Sequence, residues 1–264
     1  MNHLSTFRKY TTTYPVRSFH SIVISLSWIL LTSLVLNKLP VELGIIALTF
    51  VGLLGVSVMI TYWTKGKPGI KKLFGETFRW RVNIGHYLVA LFALPLFTIA
   101  TSMFLGTMVL TPQDSLAIFQ NYVTSLLSGF FIINLWEETG WTGFVQSKLM
   151  NDKGILKGSL LTAPGFVAVH IPLYLTQPSM FEFITSIAIL IVLAFFFRYL
   201  LGMVYIDSNK SLFIVGLLHA SFNNSAFGRS EMLPASIMGT VLFTLIYVLY
   251  REKIKPSFQK QSII

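Results

Sequence analysis

The chain contains no cysteine. That removes disulfides, thiolate nucleophiles and cysteine-held metals from consideration. Charge is scarce too: 11% of residues are Asp, Glu, Lys or Arg, where a soluble globular domain carries about 25%. Only ten residues are acidic. No His-Glu-x-x-His is present, which excludes a helix-borne zinc protease of that kind. No aspartate lies deep in an apolar run, which argues against an aspartyl dyad. Repeats and low-complexity segments are also lacking. What is abundant is apolar surface: 54% of residues are hydrophobic and 14% aromatic. The class this implies is an integral membrane protein.

Apolar stretches recur at Ser18–Leu36, Leu43–Trp63, Ile84–Leu110, Leu116–Trp136, Leu156–Leu175, Phe181–Ile206, Leu212–Phe227 and Leu233–Tyr250. Most approach the ~20 residues a helix needs to cross the hydrocarbon, and the seventh is short. Backbone polar groups must pair internally in lipid, so the expectation is an all-α, polytopic bundle of about eight transmembrane helices. The first span, preceded by Arg8, Lys9 and Arg17, could imitate a signal peptide. It has no small-residue cleavage site after Leu36 and reads as a retained helix.

The net charge of +10 could suggest nucleic acid, but the positions of the basic residues do not. They fall in the N-terminal segment, in the breaks after spans two, four and six and their flanks, Arg198 being counted with the last, and in the C-terminal tail; of twenty, only Lys38 and Arg229 lie elsewhere. This positive-inside pattern predicts a multi-pass protein of the plasma membrane with both termini cytoplasmic. It accounts for the charge through anionic lipid headgroups, and no nucleic-acid partner is expected.

Most acidic residues sit in the breaks. Glu137 and Glu138, in "NLWEETGWTGF", directly follow an apolar run. A carboxylate at membrane depth costs a few kcal/mol even on lenient scales (about 2.5–3.5), so it is a functional candidate by default. His170 lies inside span five, and His219 and Asn223 inside span seven. Phe166 and His170 are four apart and share a helix face, as do His219 and Asn223. Each alone has an ordinary reading: an interhelical hydrogen bond for a histidine, packing for Asn223, snorkelling for Glu137. Together, on three helices, they describe a water-accessible polar pocket. There a carboxylate and imidazoles activate water, while Asn and imidazole N–H groups stabilise an oxyanion. His3, His20 and His86 read as surface residues, and the Ser128–Gly129 pair as close packing.

"EETGWTGF", "FVAVH" and "HASFNN", in that order on successive helices, resemble the EExxxR, FxxxH and HxxxN motifs of the CAAX prenyl endopeptidase and bacteriocin-processing (CPBP, or Abi) family. The resemblance covers roughly Leu116 to Phe227. It divides the chain into a scaffold over 1–110 and a motif-bearing core over 111–264. It implies an endopeptidase acting on a peptide or protein substrate at the bilayer. Glu137 and His170 would then activate water, with His219 and Asn223 in the oxyanion hole and Glu138 held by the motif arginine. Zinc held by Glu137, His170 and His219 and a metal-free glutamate mechanism both remain open. One position departs from the pattern: the arginine is Thr142. Threonine cannot neutralise a buried carboxylate, so Glu138 must be protonated, solvated or paired elsewhere. Arg198, flanked by apolar runs on both sides, is the candidate replacement; a side chain snorkelling to the interface is the alternative. The departure also admits a second reading, a non-catalytic immunity or maturation partner on the same scaffold. A transporter with a midplane site is a third, disfavoured by the missing repeat.

Overall fold

The computed structural model describes residues 3–108 and 115–254. Leu110, the expected end of the third span, and the basic residues of the C-terminal tail beyond residue 254 lie outside them. The described residues form a helical bundle: α1 (His3–Thr13), α2 (Pro15–Leu36), α3 (Glu42–Thr77), α4 (Ile84–Leu105), α5 (Ile118–Lys153), α6 (Ile155–Tyr174), α7 (Met180–Asp207), α8 (Leu212–Asn224) and α9 (Ser230–Lys253). Seven of these, all but α1 and α8, are long and apolar enough to cross a membrane. With the shorter α8 they correspond to the eight expected spans, and the chain is a multi-pass membrane protein. Its outer face carries the apolar side chains such a protein turns to lipid, Ile29, Leu43, Phe104 and Phe181 among them.

Local chemistry sets the helix ends. Asn83 caps α4 by accepting from Gly85 N at 2.8 Å. Ser179 caps α7 by accepting from Glu182 N, the first half of a capping box. Ser211 caps α8 by accepting from Ile214 N. The helix α3 breaks at Gly66, whose φ of 61° is open to glycine at no steric cost. Pro68 follows and cannot donate to the preceding turn. The break separates the apolar part of α3 from its basic continuation.

Buried apolar side chains form two clusters. One gathers α4, α7 and α8 around residues such as Leu94, Leu201 and Leu218. The other gathers α2, α3 and α6 around Phe19, Ile60 and Phe166. The helix α5 serves both: Leu126, Phe130 and Leu135 belong to the first, and Trp141, Phe144 and Val145 to the second. The adjacent glutamates lie at the changeover. The helix α8 packs against α3, α4, α5 and α7, and its residues from Ile214 to Ser221 are all buried. A helix apolar on every side belongs in the middle of a bundle. Close approach to α5 depends on Gly216, where an added Cβ would stand 2.9 Å from the Leu135 Cα.

The basic segments collect at one end of this bundle. The start of α2 and the end of α5 line one cleft with Lys65. The Tyr205 hydroxyl donates to Glu76 at 2.7 Å, joining the ends of α3 and α7. Arg251 Nε donates to Asp207 at 2.9 Å, joining α7 to α9.

Candidate active site

The site grows from α5. Asn134, Glu138, Thr142 and Gln146 recur every four residues along it, and all four are buried. In a regular α-helix a four-residue step drifts about 40° around the axis, so such a stripe would wind off one face. Here α5 contains two π-helical stretches, Phe130–Asn134 and Thr139–Gln146. Their wider turns counter the drift and hold the stripe toward the neighbouring helices. Turns of this kind are frequent at functional sites.

Glu138 is fully buried and fully paired. Arg198 of α7, itself 0% exposed, donates through Nη1 to both carboxylate oxygens, at 2.8 and 3.1 Å. His219 of α8 places Nδ1 2.8 Å from Glu138 Oε1. Thr142 donates its hydroxyl proton to Glu138 and accepts from Arg198 Nη2 at 2.7 Å. The rest of the guanidinium is held by Gln146, whose Oε1 accepts from Arg198 Nε at 2.9 Å and from Nη2. Gln146 in turn donates from Nε2 to the Arg198 carbonyl at 2.7 Å and to Ser159 at 2.9 Å. Every nitrogen of the guanidinium is thus used, the condition under which a buried ion pair is tolerated. Of the two positions open to Arg198 from sequence, the structure shows the buried one. The Phe166 ring lies 5.5 Å from its guanidinium carbon.

Glu137 has a different environment. Its side chain is 13% exposed, and its nearest carboxylate oxygen is 4.0 Å from His219 Nδ1, beyond hydrogen-bond range. His170 of α6 lies 2.7 Å through Nδ1 from the Phe166 carbonyl. A carbonyl only accepts, so Nδ1 carries the proton and Nε2 keeps its lone pair. Glu137 and His219 are the ionisable groups that act on this imidazole. The Phe166 ring stands at the centre, 4.5 Å from the His170 ring and 6.2 Å from that of His219.

The sequence-predicted residues are therefore placed unequally. Glu138, Thr142, Arg198 and His219 share one hydrogen-bond network, with Phe166 packed against it. Glu137 and His170 flank it. Asn223, one turn beyond His219, is exposed. Among the described residues no three His, Asp or Glu side chains gather into a set that could hold a metal. The Nδ1 atoms of His170 and His219 are both engaged, so any ligation would fall to Nε2, and no step below is routed through a metal.

Sequence reasoning missed Gln146 and Asn134. The signal was there: a polar residue every fourth position through "NLWEETGWTGFVQ". Asn134 Nδ2 is buried without a hydrogen-bond partner. His20, expected at the surface, instead stacks near Trp141, with ring centroids 6.0 Å apart. Its Nε2 is buried and unpaired, because Gly165 on α6 leaves room for the ring. The side chain of His3 lies outside the described residues.

Residues 119–225 match the family model described as Rce1-like, type II CAAX prenyl endopeptidase Rce1-like. The match takes in α5 through α8 and all three motifs. No curated protein matches the chain.

Proposed function

We propose that this chain, whose residues 119–225 match a CAAX prenyl endopeptidase family model, cuts a peptide bond of a membrane-associated substrate with water activated by Glu137 and His170. The observation that carries the reading is the division of labour between adjacent glutamates. Glu138 has every partner it can use, while the Glu137 carboxylate keeps free lone pairs beside His170. A general base needs an available lone pair, and the Glu137 carboxylate comes no closer to His219 than 4.0 Å. His170, with Nδ1–H fixed by the Phe166 carbonyl, presents Nε2 to the same water.

His219 and Asn223 would stabilise the oxyanion. For His219 this requires the imidazolium: Nδ1–H stays on Glu138, and Nε2–H faces the developing charge. Arg198 and Glu138 position the imidazole without touching substrate. The missing motif arginine had favoured a non-catalytic binding partner, and the Arg198–Glu138 pair supplies the cation that Thr142 cannot. We further propose that both termini are cytoplasmic in the plasma membrane, supported by the collection of basic segments at one end of the bundle.

The test is cleavage of a fluorogenic prenylated C-terminal peptide by the full chain in vesicles. Glu137→Gln should slow cleavage about 10²–10⁴-fold with unchanged folded yield. Full activity in both Glu137→Gln and His170→Ala would sink the hydrolase reading and leave a binding protein.

A further inference from the structure

The geometry points to a second site, remote from the glutamates: a cleft for the headgroup phosphate of an anionic membrane lipid, where the start of α2, the break in α3 and the end of α5 meet. Its volume is about 430 Å³, and its cations are Arg17, Lys65 and Lys148. Asp152 is the only carboxylate lining it. Lys72 adds a further positive charge acting on Lys148.

Like charges gathered around a concave, partly desolvated surface repel one another unless an anion sits among them. One carboxylate does not balance this group. Lys148 is half-buried, and its ammonium is held over the Phe144 ring at 4.7 Å, so it cannot swing freely into bulk water. The remaining lining is two-faced. Tyr14 and Asn151 add neutral donors, while Pro15, Val16 and Leu149 form an apolar wall. A free phosphate has no use for that wall; the glycerol and upper acyl chain of a phospholipid do. The position agrees with this. The cleft lies where three spanning helices reach their charged ends, the level at which headgroup phosphates stand. The break at Gly66 brings Lys65 there, and a second cleft lined by Arg8 and Lys9 adjoins it along α1 and α3.

The experiment is native mass spectrometry of the full chain in detergent, titrated with phosphatidylglycerol or phosphatidylcholine. The anionic lipid should bind about tenfold more tightly. Lys65→Gln/Lys148→Gln should abolish the preference. Arg17→Gln/Lys65→Gln, at two exposed positions that tolerate substitution, should do the same if Lys148 proves necessary for folding. Lys210→Gln, on the exposed turn between α7 and α8, should leave it unchanged. Inorganic phosphate in excess should fail to displace the lipid; displacement would reassign the site to free phosphate and overturn the lipid assignment. Equal affinity for the two lipids in the wild type, or a preference intact in both double variants, would overturn the site.

Discussion

Glu137 and Glu138 share a peptide bond and almost nothing else. Adjacent helical residues point about 100° apart, so one side chain can enter the packed interface while its neighbour faces a cavity. Glu138 points at α7 and α8, where Arg198 and His219, with Thr142 of its own helix, take every lone pair it offers. Glu137 points away, keeps some exposure and forms no comparably close contact with His219. Identical chemistry therefore serves two purposes. In the proposed reaction one carboxylate would set the position of the catalytic candidates, and the other would be left reactive. A buried carboxylate must be paired, whereas a general base must not be fully paired.

Several substitutions would break or sharpen this contrast. The largest effect should come from Arg198→Leu, which leaves Glu138 buried without its cation. A loss of about 3–5 kcal/mol is expected, read as a lower unfolding temperature and reduced membrane yield. Adding Thr142→Arg returns the cation to the family's own position. The double variant should recover stability relative to Arg198→Leu, with a coupling of about 1–3 kcal/mol. Thr142→Arg alone should destabilise, since its target is already occupied. A neutral Arg198→Leu would mean that Glu138 does not need a cation, and the contrast between the glutamates would collapse.

Next comes Asn223→Ala, on the reactive side. As an oxyanion donor it should lower kcat about 10²–10³-fold while leaving the unfolding temperature unchanged. A purely structural Asn223 would do the reverse. On the buried side, Thr142→Val deletes one donor and one acceptor in the network and should cost about 1–3 kcal/mol. Its effect should appear in stability before activity, and a kcat loss at wild-type stability would contradict a role confined to holding the buried network. The smallest effect is expected from a zinc chelator. Cleavage by the metal-free route continues in its presence; loss reversed by added zinc would assign Glu137, His170 and His219 to the metal.

The two halves of the site were not equally legible in the sequence. Hydropathy marks the seven long spans because each must cross the same thickness of lipid, and α8 because it is buried among them, and the three motifs mark Glu137, His170 and His219 because few polar residues survive there. Arg198 could be suspected for the same reason, a guanidinium between apolar runs. Its partner could not be derived, since contact between residues 60 positions apart depends on how α5 and α7 cross. Gln146 was hidden differently. A period of four reads as a drifting stripe on a regular helix, and only the π-helical stretches bring it into line. His20 was misjudged because its place near the chain start suggested an interface, whereas Gly165 across the packing opens a slot for it.

The brevity of α8 has a consequence for hydration. Thirteen residues rise about 20 Å, and a bilayer's hydrocarbon is about 30 Å thick. A helix held at the centre of the bundle therefore stops roughly 10 Å short of one membrane face or divides that deficit between two. Of the terminal carbonyls, which lack intrahelical partners, that of Asn224 accepts from Phe227 N at 3.0 Å. Asn223 is exposed at this end, where solvent can meet it. A short helix would thereby let solvent approach from below the lipid surface to within about one and a half turns of His219, where the proposed hydrolysis needs it.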